Sequence, residues 1–260
     1  MSIATVIVIV VAGILVGFIN TLSGGGSVIS LSLLLILGLP ANIANGTNRI
    51  SIFFQTLSSV SSFTRQKMFD SLRPLWLGIP ATIGSVLGAL TAVDVNERVI
   101  EIAMAVAMVI MVFFLFYKPD RWLKENPARL EKPIRWWQLV IFFCVGFYGG
   151  FIQVGVGYFL LMSLVLGVGY DLVKANAVKN LIVFLYAIFA LLVFIIDGQV
   201  NYLYGLILSA GSVIGALIAS YLAVKKGAGF IRAVIVASVI LTILQVTGLV
   251  NFSSIIKGLL

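Results

Sequence analysis

Asn45-Gly46-Thr47-Asn48-Arg49 opens one long apolar stretch, and Asn176-Ala177-Val178-Lys179-Asn180 opens another. Each group sets amide side chains beside a cation. A cation inside an apolar segment is costly unless paired or hydrated, and marks a functional site by default. No acid lies near Arg49 in sequence; near Lys179, Asp171 can pair with Lys174 and leave Lys179 over. Amide N–H donors plus an unpaired cation are groups that hold an anion: the donors orient it and the charge neutralises it. The competing reading is that both side chains snorkel from helix ends to the lipid headgroups.

A glycine cluster precedes each group at the same interval. Gly24, Gly26, Gly38 and Asn45 recur as Gly155, Gly157, Gly169 and Asn176, a constant shift of 131 residues. The first cluster reads Asn20-Thr-Leu-Ser23-Gly24-Gly25-Gly26-Ser27, the second Gln153-Val-Gly155-Val-Gly157-Tyr158. Each interior glycine weakens a helix by about 1 kcal/mol, so both clusters predict a break. A break frees backbone N–H groups at the start of the next helix, where the dipole also favours an anion. Asn20, Ser23, Gln153 and Tyr158 add polar side chains there. The bland alternative is a tight turn or close helix crossing with no ligand. Gln55, Ser58, Ser59 and Ser62 share one face of the following helix, either as a polar permeation face or as small-residue packing.

The elements that carry these groups are membrane helices. Of 260 residues, 61% are hydrophobic and 10% charged, against roughly 25% charged in a soluble domain. A soluble fold could not hide that much apolar surface. The apolar runs do not alternate with polar residues, which excludes a β-barrel and predicts an all-α, polytopic helical integral membrane protein. The first run lacks a basic leader and a cleavage site, so it reads as a retained helix rather than a signal peptide. No histidine and a single cysteine, Cys144, argue against a transition-metal site or haem. No phosphate-binding loop is present, so direct ATP use is not expected, and no cofactor is expected. An intramembrane enzyme would need a paired acid, base or nucleophile, and the scattered acids (Glu101 is the best placed) supply none.

Apolar segments fall at about 3–22, 27–39, 43–64, 74–93 and 98–117, then at about 136–153, 157–170, 173–196, 201–222 and 230–250. Residues 1–117 and 136–260 therefore form two homologous halves joined by a charged linker at 118–135. Gly84-x3-Gly88 recurs as Gly211-x3-Gly215, a pattern that permits close helix approach. Arg65, Lys67 and Arg73 place one loop in the cytoplasm, whereas its counterpart holds only Asp197. Lys225 and Lys226 then fall where the first half has Asp94 and Glu97. The charge bias is reversed between halves, as inverted-topology repeats require. Five crossings per half satisfy inversion, with both termini outside. The second segment of each half is below the spanning minimum of roughly 17 residues, so eight crossings with parallel repeats remain the alternative. The net charge of +8 is a topology signal, not a nucleic-acid surface.

The run Gly17-Phe-Ile-x4-Gly24-Gly-Gly26, then Gly38 and Ala44-Asn-Gly-Thr47, with Gly146-x2-Gly-Gly150, Gly155-Val-Gly157 and Ala175-Asn-Ala177, resembles the TauE/SafE family of sulfite exporters. The resemblance covers nearly the whole chain. It implies a multi-pass plasma-membrane transporter of a small anion, chiefly a sulfur compound such as sulfite or an organosulfonate. It also implies seven to nine helices, fewer than the ten counted above. The candidate binding residues are then Asn20, Ser23, Gly24, Gly25, Gly26, Asn45, Thr47, Asn48, Arg49, Gln55, Gln153, Gly155, Gly157, Tyr158, Asn176, Lys179 and Asn180. The expected partners are that anion and the bilayer, with a homo-oligomer left open. A non-transporting scaffold or assembly subunit is the alternative of a different class.

Overall fold

The computed structural model describes residues 2–69, 71–96, 98–100, 102–103, 106, 127–130 and 132–246, without the side chains of 241–246. Most of the fifth segment, Glu101 and most of the charged linker lie outside these residues. Among the described residues the chain is helical, with no strand.

Apolar α1 (Ile3–Leu22) is capped by the Ser2 hydroxyl, which accepts from Thr5 N–H. It stops at the first glycine cluster. α2 (Ser27–Ile36) has 10 residues, about 15 Å, half the hydrocarbon core. Gly38, at φ +86°, turns the chain into α3 (Ala41–Arg65), and α4 (Arg73–Asp94) follows. The described part of the linker holds a single helical turn, Pro127–Leu130. The order then recurs. α5 (Trp136–Phe151) stops at the second cluster. α6 (Val156–Met162) runs on through a π-helical turn, Ser163–Val168, and Gly169 at φ +105° leads into α7 (Leu172–Ile196).

One expectation changes at the end. The two segments at 201–222 and 230–250 are joined in α8 (Tyr202–Val246) by one reversed residue, Gly227 at φ +75°. A full loop is not needed because glycine adopts that backbone without a Cβ clash.

α1, α4, α7 and α8 are long and apolar enough to cross a membrane, and the protein is a multi-pass membrane protein. Its outer surface is apolar: Ile7, Leu15, Ile79, Ile83, Leu87 and Leu217 are all exposed. In water that surface would be a liability; against lipid it is the required one. α3 carries more buried polar side chains than any other described helix, and it packs between α7 and α8.

The halves interlock. α1 lies along α8, and α5 lies along α4. Gly13 and Gly17 rest on the carbonyls of Leu208 and Ser212, while Gly211 and Gly215 rest on those of Val10 and Ile14. The other crossing is built the same way, with Gly146 and Gly150 on Ala81 and Ser85, and Gly84 and Gly88 on Phe143 and Phe147. A Cβ at any of these eight positions would overlap a facing backbone oxygen, so the sequence brings backbones together by omitting side chains.

Candidate functional site

The two breaks touch. Gly24 has φ +88°, and a Cβ there would overlap the Cα of Gly157; a Cβ on Gly157 would overlap the Cα of Gly24. Gly25 faces the Tyr158 ring, and Gly26 faces Val16 O and Asn20. Gly155 and Gln153 also take left-handed φ values of +67° and +68°. For Gln153 that conformation costs roughly 1–2 kcal/mol, and its side chain is held by Tyr186, whose hydroxyl accepts from Nε2 at 2.9 Å.

The N–H groups expected to be open at the start of α2 are partly taken by the chain itself. Asn20 Oδ1 accepts from Ser27 N–H at 3.1 Å, capping α2 from the last turn of α1. Ser23 Oγ accepts from Gly25 N–H at 3.4 Å. Ser23 is also reached by Ser238 of α8, whose hydroxyl bonds Tyr158 OH at 2.7 Å, so three hydroxyls link both breaks to the arm beyond Gly227.

Neither cation snorkels. Arg49 and Lys179 are each only 1% exposed. Each crosses to the helix end of the other half. Arg49 donates through Nη1 to Gly149 O at 2.7 Å and through Nη2 to Gly150 O at 2.6 Å, in the last turn of α5. Longer bonds of 3.4 Å run to Gln153 Oε1 and Asn45 Oδ1, and the guanidinium lies 4.9 Å from the Phe194 ring centroid. Lys179 Nζ donates to Asn20 O at 2.9 Å and Thr21 O at 2.7 Å, in the last turn of α1. The neighbouring amides follow: Asn45 Nδ2 reaches Phe151 O at 2.8 Å, Asn176 Nδ2 reaches Leu22 O at 3.3 Å, and Asn180 Nδ2 reaches Thr21 O at 3.1 Å. A helix C-terminus carries about half a negative charge, so each cation meets a complementary end. Among the described residues no Asp or Glu is buried. Asp171 instead caps α7, accepting from Val173 and Lys174 N–H.

Between the breaks lies a small cavity of about 20 Å³. Its polar lining is Asn20, Ser27, Gln55, Thr56, Gln153, Lys179 and Asn180, with Gly24 and Gly157 at the contact. Asn20 Nδ2 donates to Gln55 Oε1 at 3.3 Å across it. Room for about one water is all it offers. Lys179, which lines the cavity, donates from Nζ to two carbonyls. Arg49 does not line the cavity, and of its five donors only Nε–H is without a partner among the described residues.

The sequence-derived residues therefore divide. Asn20, Gly24, Gln55, Gln153, Gly157, Lys179 and Asn180 meet at the cavity. Asn45, Arg49 and Asn176 tie the halves together beside it. Thr47 accepts from Asn201 N–H at 2.8 Å, and Asn48 accepts from the Ser30 hydroxyl at 2.7 Å, so both fasten α3 to its neighbours. Ser23, Gly25, Gly26, Gly155 and Tyr158 shape the breaks. On the serine face, Gln55 reaches the cavity, Ser59 bonds Asn180 at 3.1 Å, and Ser58 bonds back to Phe54 O. Ile52, Val156, Val183 and Ser238 were missed: an apolar residue or one serine in an apolar helix carries no chemical signal in sequence.

Comparison with known proteins adds relatives. The family model for the sulfite exporter TauE/SafE matches residues 9–246. The chain is 31% identical over 225 residues to the probable membrane transporter protein YfcA of Escherichia coli strain K12, covering 85% of this chain and 82% of the relative. It is 28% identical over 226 residues to the probable membrane transporter protein ORF9 of a Sinorhizobium species, covering 87% and 86%. A probable membrane transporter protein of Haemophilus influenzae is 27% identical over 225 residues, covering 86% and 87%. No solved structure matches.

Proposed function

The chain belongs to the sulfite exporter TauE/SafE family of membrane transporters, and on that premise we propose that it moves a small anion by alternating access across the plasma membrane. The substrate class is a sulfur oxyanion or organosulfonate. The observation that carries this reading is the electrostatics of the meeting point. Two basic side chains, Arg49 and Lys179, are buried against two helix C-termini. No buried carboxylate among the described residues balances these two basic groups. An anion completes that balance; a cation worsens it.

The roles are unequal. Lys179 holds the α1 end and offers an N–H to the substrate, with Asn20, Gln55, Gln153 and Asn180 supplying amide contacts. Arg49 clamps the α5 end. Residues 1–117 and 136–260 are read as inverted repeats joined by 118–135. The paired glycine crossings support the duplication, since they correspond when the halves are swapped, whereas Lys179 stands one place off the Arg49 position. The cavity is too small for sulfite, so the substrate enters only when the Gly24–Gly157 contact opens.

The test is transport of radiolabelled sulfite and sulfoacetate into proteoliposomes containing the full chain. Saturable transport by wild type, lost in Lys179→Gln that still unfolds cooperatively, is the expected result. Undiminished transport in that variant removes Lys179 from the site. Rejection of every small anion, with cations or neutral solutes accepted, overturns the substrate class.

A further inference from the structure

A second cavity, of about 500 Å³, lies away from the breaks. It is lined by Arg129, Lys132 and Arg135 with Trp137, Gln138 and Gly167. We propose that it binds the phosphate headgroup of an anionic phospholipid.

The pocket is built, not incidental. Arg73 at the start of α4 donates to the carbonyls of Leu130 and, at 3.0 Å, Lys132, pinning the loop while the Lys132 side chain stays exposed. Arg129 donates to Leu166 O. Gln138 closes the floor: its Oε1 accepts from Arg135 N–H at 2.8 Å and its Nε2 donates to Gly167 O at 2.9 Å. No carboxylate appears in the lining among the described residues. The first turn of α5 begins at this spot, adding the positive end of a 16-residue helix to three cations. Phosphate oxygens suit guanidinium groups and helix N-termini alike.

Depth points to a lipid rather than a free ion. Trp136, the first residue of α5, is 76% exposed, and Trp76, in the first turns of α4, is 62% exposed. Exposed tryptophans at helix ends mark the headgroup level of a bilayer. Arg73 joins the starts of both helices to one loop, so the cations and tryptophans lie at one end of the bundle. That end carries the basic loop after α3, which the charge rule assigns to the cytoplasm. Basic pockets between helices on that side capture anionic headgroups. This site is independent of the transport reading.

The experiment uses the detergent-purified full chain titrated with dioleoyl phosphatidylglycerol or dioleoyl phosphatidylcholine in mixed micelles, with retained lipid counted by native mass spectrometry. Wild type should retain phosphatidylglycerol and not phosphatidylcholine. Lys132→Gln/Arg135→Gln should weaken retention by roughly tenfold or more, while Lys225→Gln/Lys226→Gln leaves it unchanged. If the first double variant is not recovered folded, Lys132→Gln alone, at an exposed position, must lower retention at least severalfold. Equal retention of both lipids, or equal loss in both double variants, overturns the site. Competition by millimolar phosphate or sulfite also overturns it, since the cavity would then belong to a soluble anion.

Discussion

Replacing Arg49 by lysine keeps the buried charge and removes the fork. Arg49 spans two successive carbonyls, Gly149 O and Gly150 O, with parallel bonds of 2.7 and 2.6 Å. A lysine ammonium is one point on a shorter reach, and it can serve one of these well. The carbonyl left over is buried, and hydrogen bonds from charged donors contribute about 1.5–3 kcal/mol each. The two 3.4 Å bonds to Gln153 and Asn45 are long, and we assign them little. Arg49→Lys should therefore cost about 2–3 kcal/mol, a fall in Tm of roughly 4–12 °C for a chain of this size. Because Arg49 does not line the cavity, the KM for the transported anion should change less than threefold in the variant that remains folded. Thermal unfolding in detergent and sulfite uptake by proteoliposomes measure the two effects separately. An unchanged Tm with a KM raised tenfold or more would refute the reasoning and place Arg49 on the substrate.

Three further outcomes are expected. Gly24→Ala and Gly38→Ala share a left-handed φ, about +88° and +86°, but a Cβ on Gly38 meets nothing within 4 Å while one on Gly24 meets Gly157. Gly38→Ala should lose only the conformational cost of roughly 1–2 kcal/mol and keep transport, whereas Gly24→Ala should lose transport; equal effects would show that the contact is unimportant. Ser238→Ala removes the link between Ser23 and Tyr158 and should lower Tm by a few degrees, so an unchanged Tm would mean the arm beyond Gly227 is held by packing alone. In a Cys144→Ala background, Met68→Cys and Asp197→Cys should be labelled from opposite sides of intact cells, and labelling from the same side would sink the inverted arrangement.

The breaks were legible because clustered glycines weaken a helix, and the cations were legible because charge in an apolar run is expensive. Their destinations were not. Arg49 and its acceptor Gly149 are 100 residues apart, and no local pattern in sequence carries a contact of that separation. The same distance hid the correct alternative for both cations, which neither snorkel nor leave all their donors free. Gly227 looked like one residue of a loop, since a single φ of +75° inside a helix has the same sequence signature as a turn. The cavity itself takes apolar walls from Ile52, Val156 and Val183, whose identities are those of any core residue.

The exchange of helix caps also sets an order of events during synthesis. Lys179 follows its acceptor Thr21 by 158 residues. At about 5–20 residues per second, the end of α1 exists for roughly 8–30 s before the side chain that closes it is made. Arg49 has no such wait, because it is already present when its acceptors at Gly149 and Gly150 emerge. The nascent amino-terminal half is thus the vulnerable one, and its maturation ends only when the ribosome has passed α7.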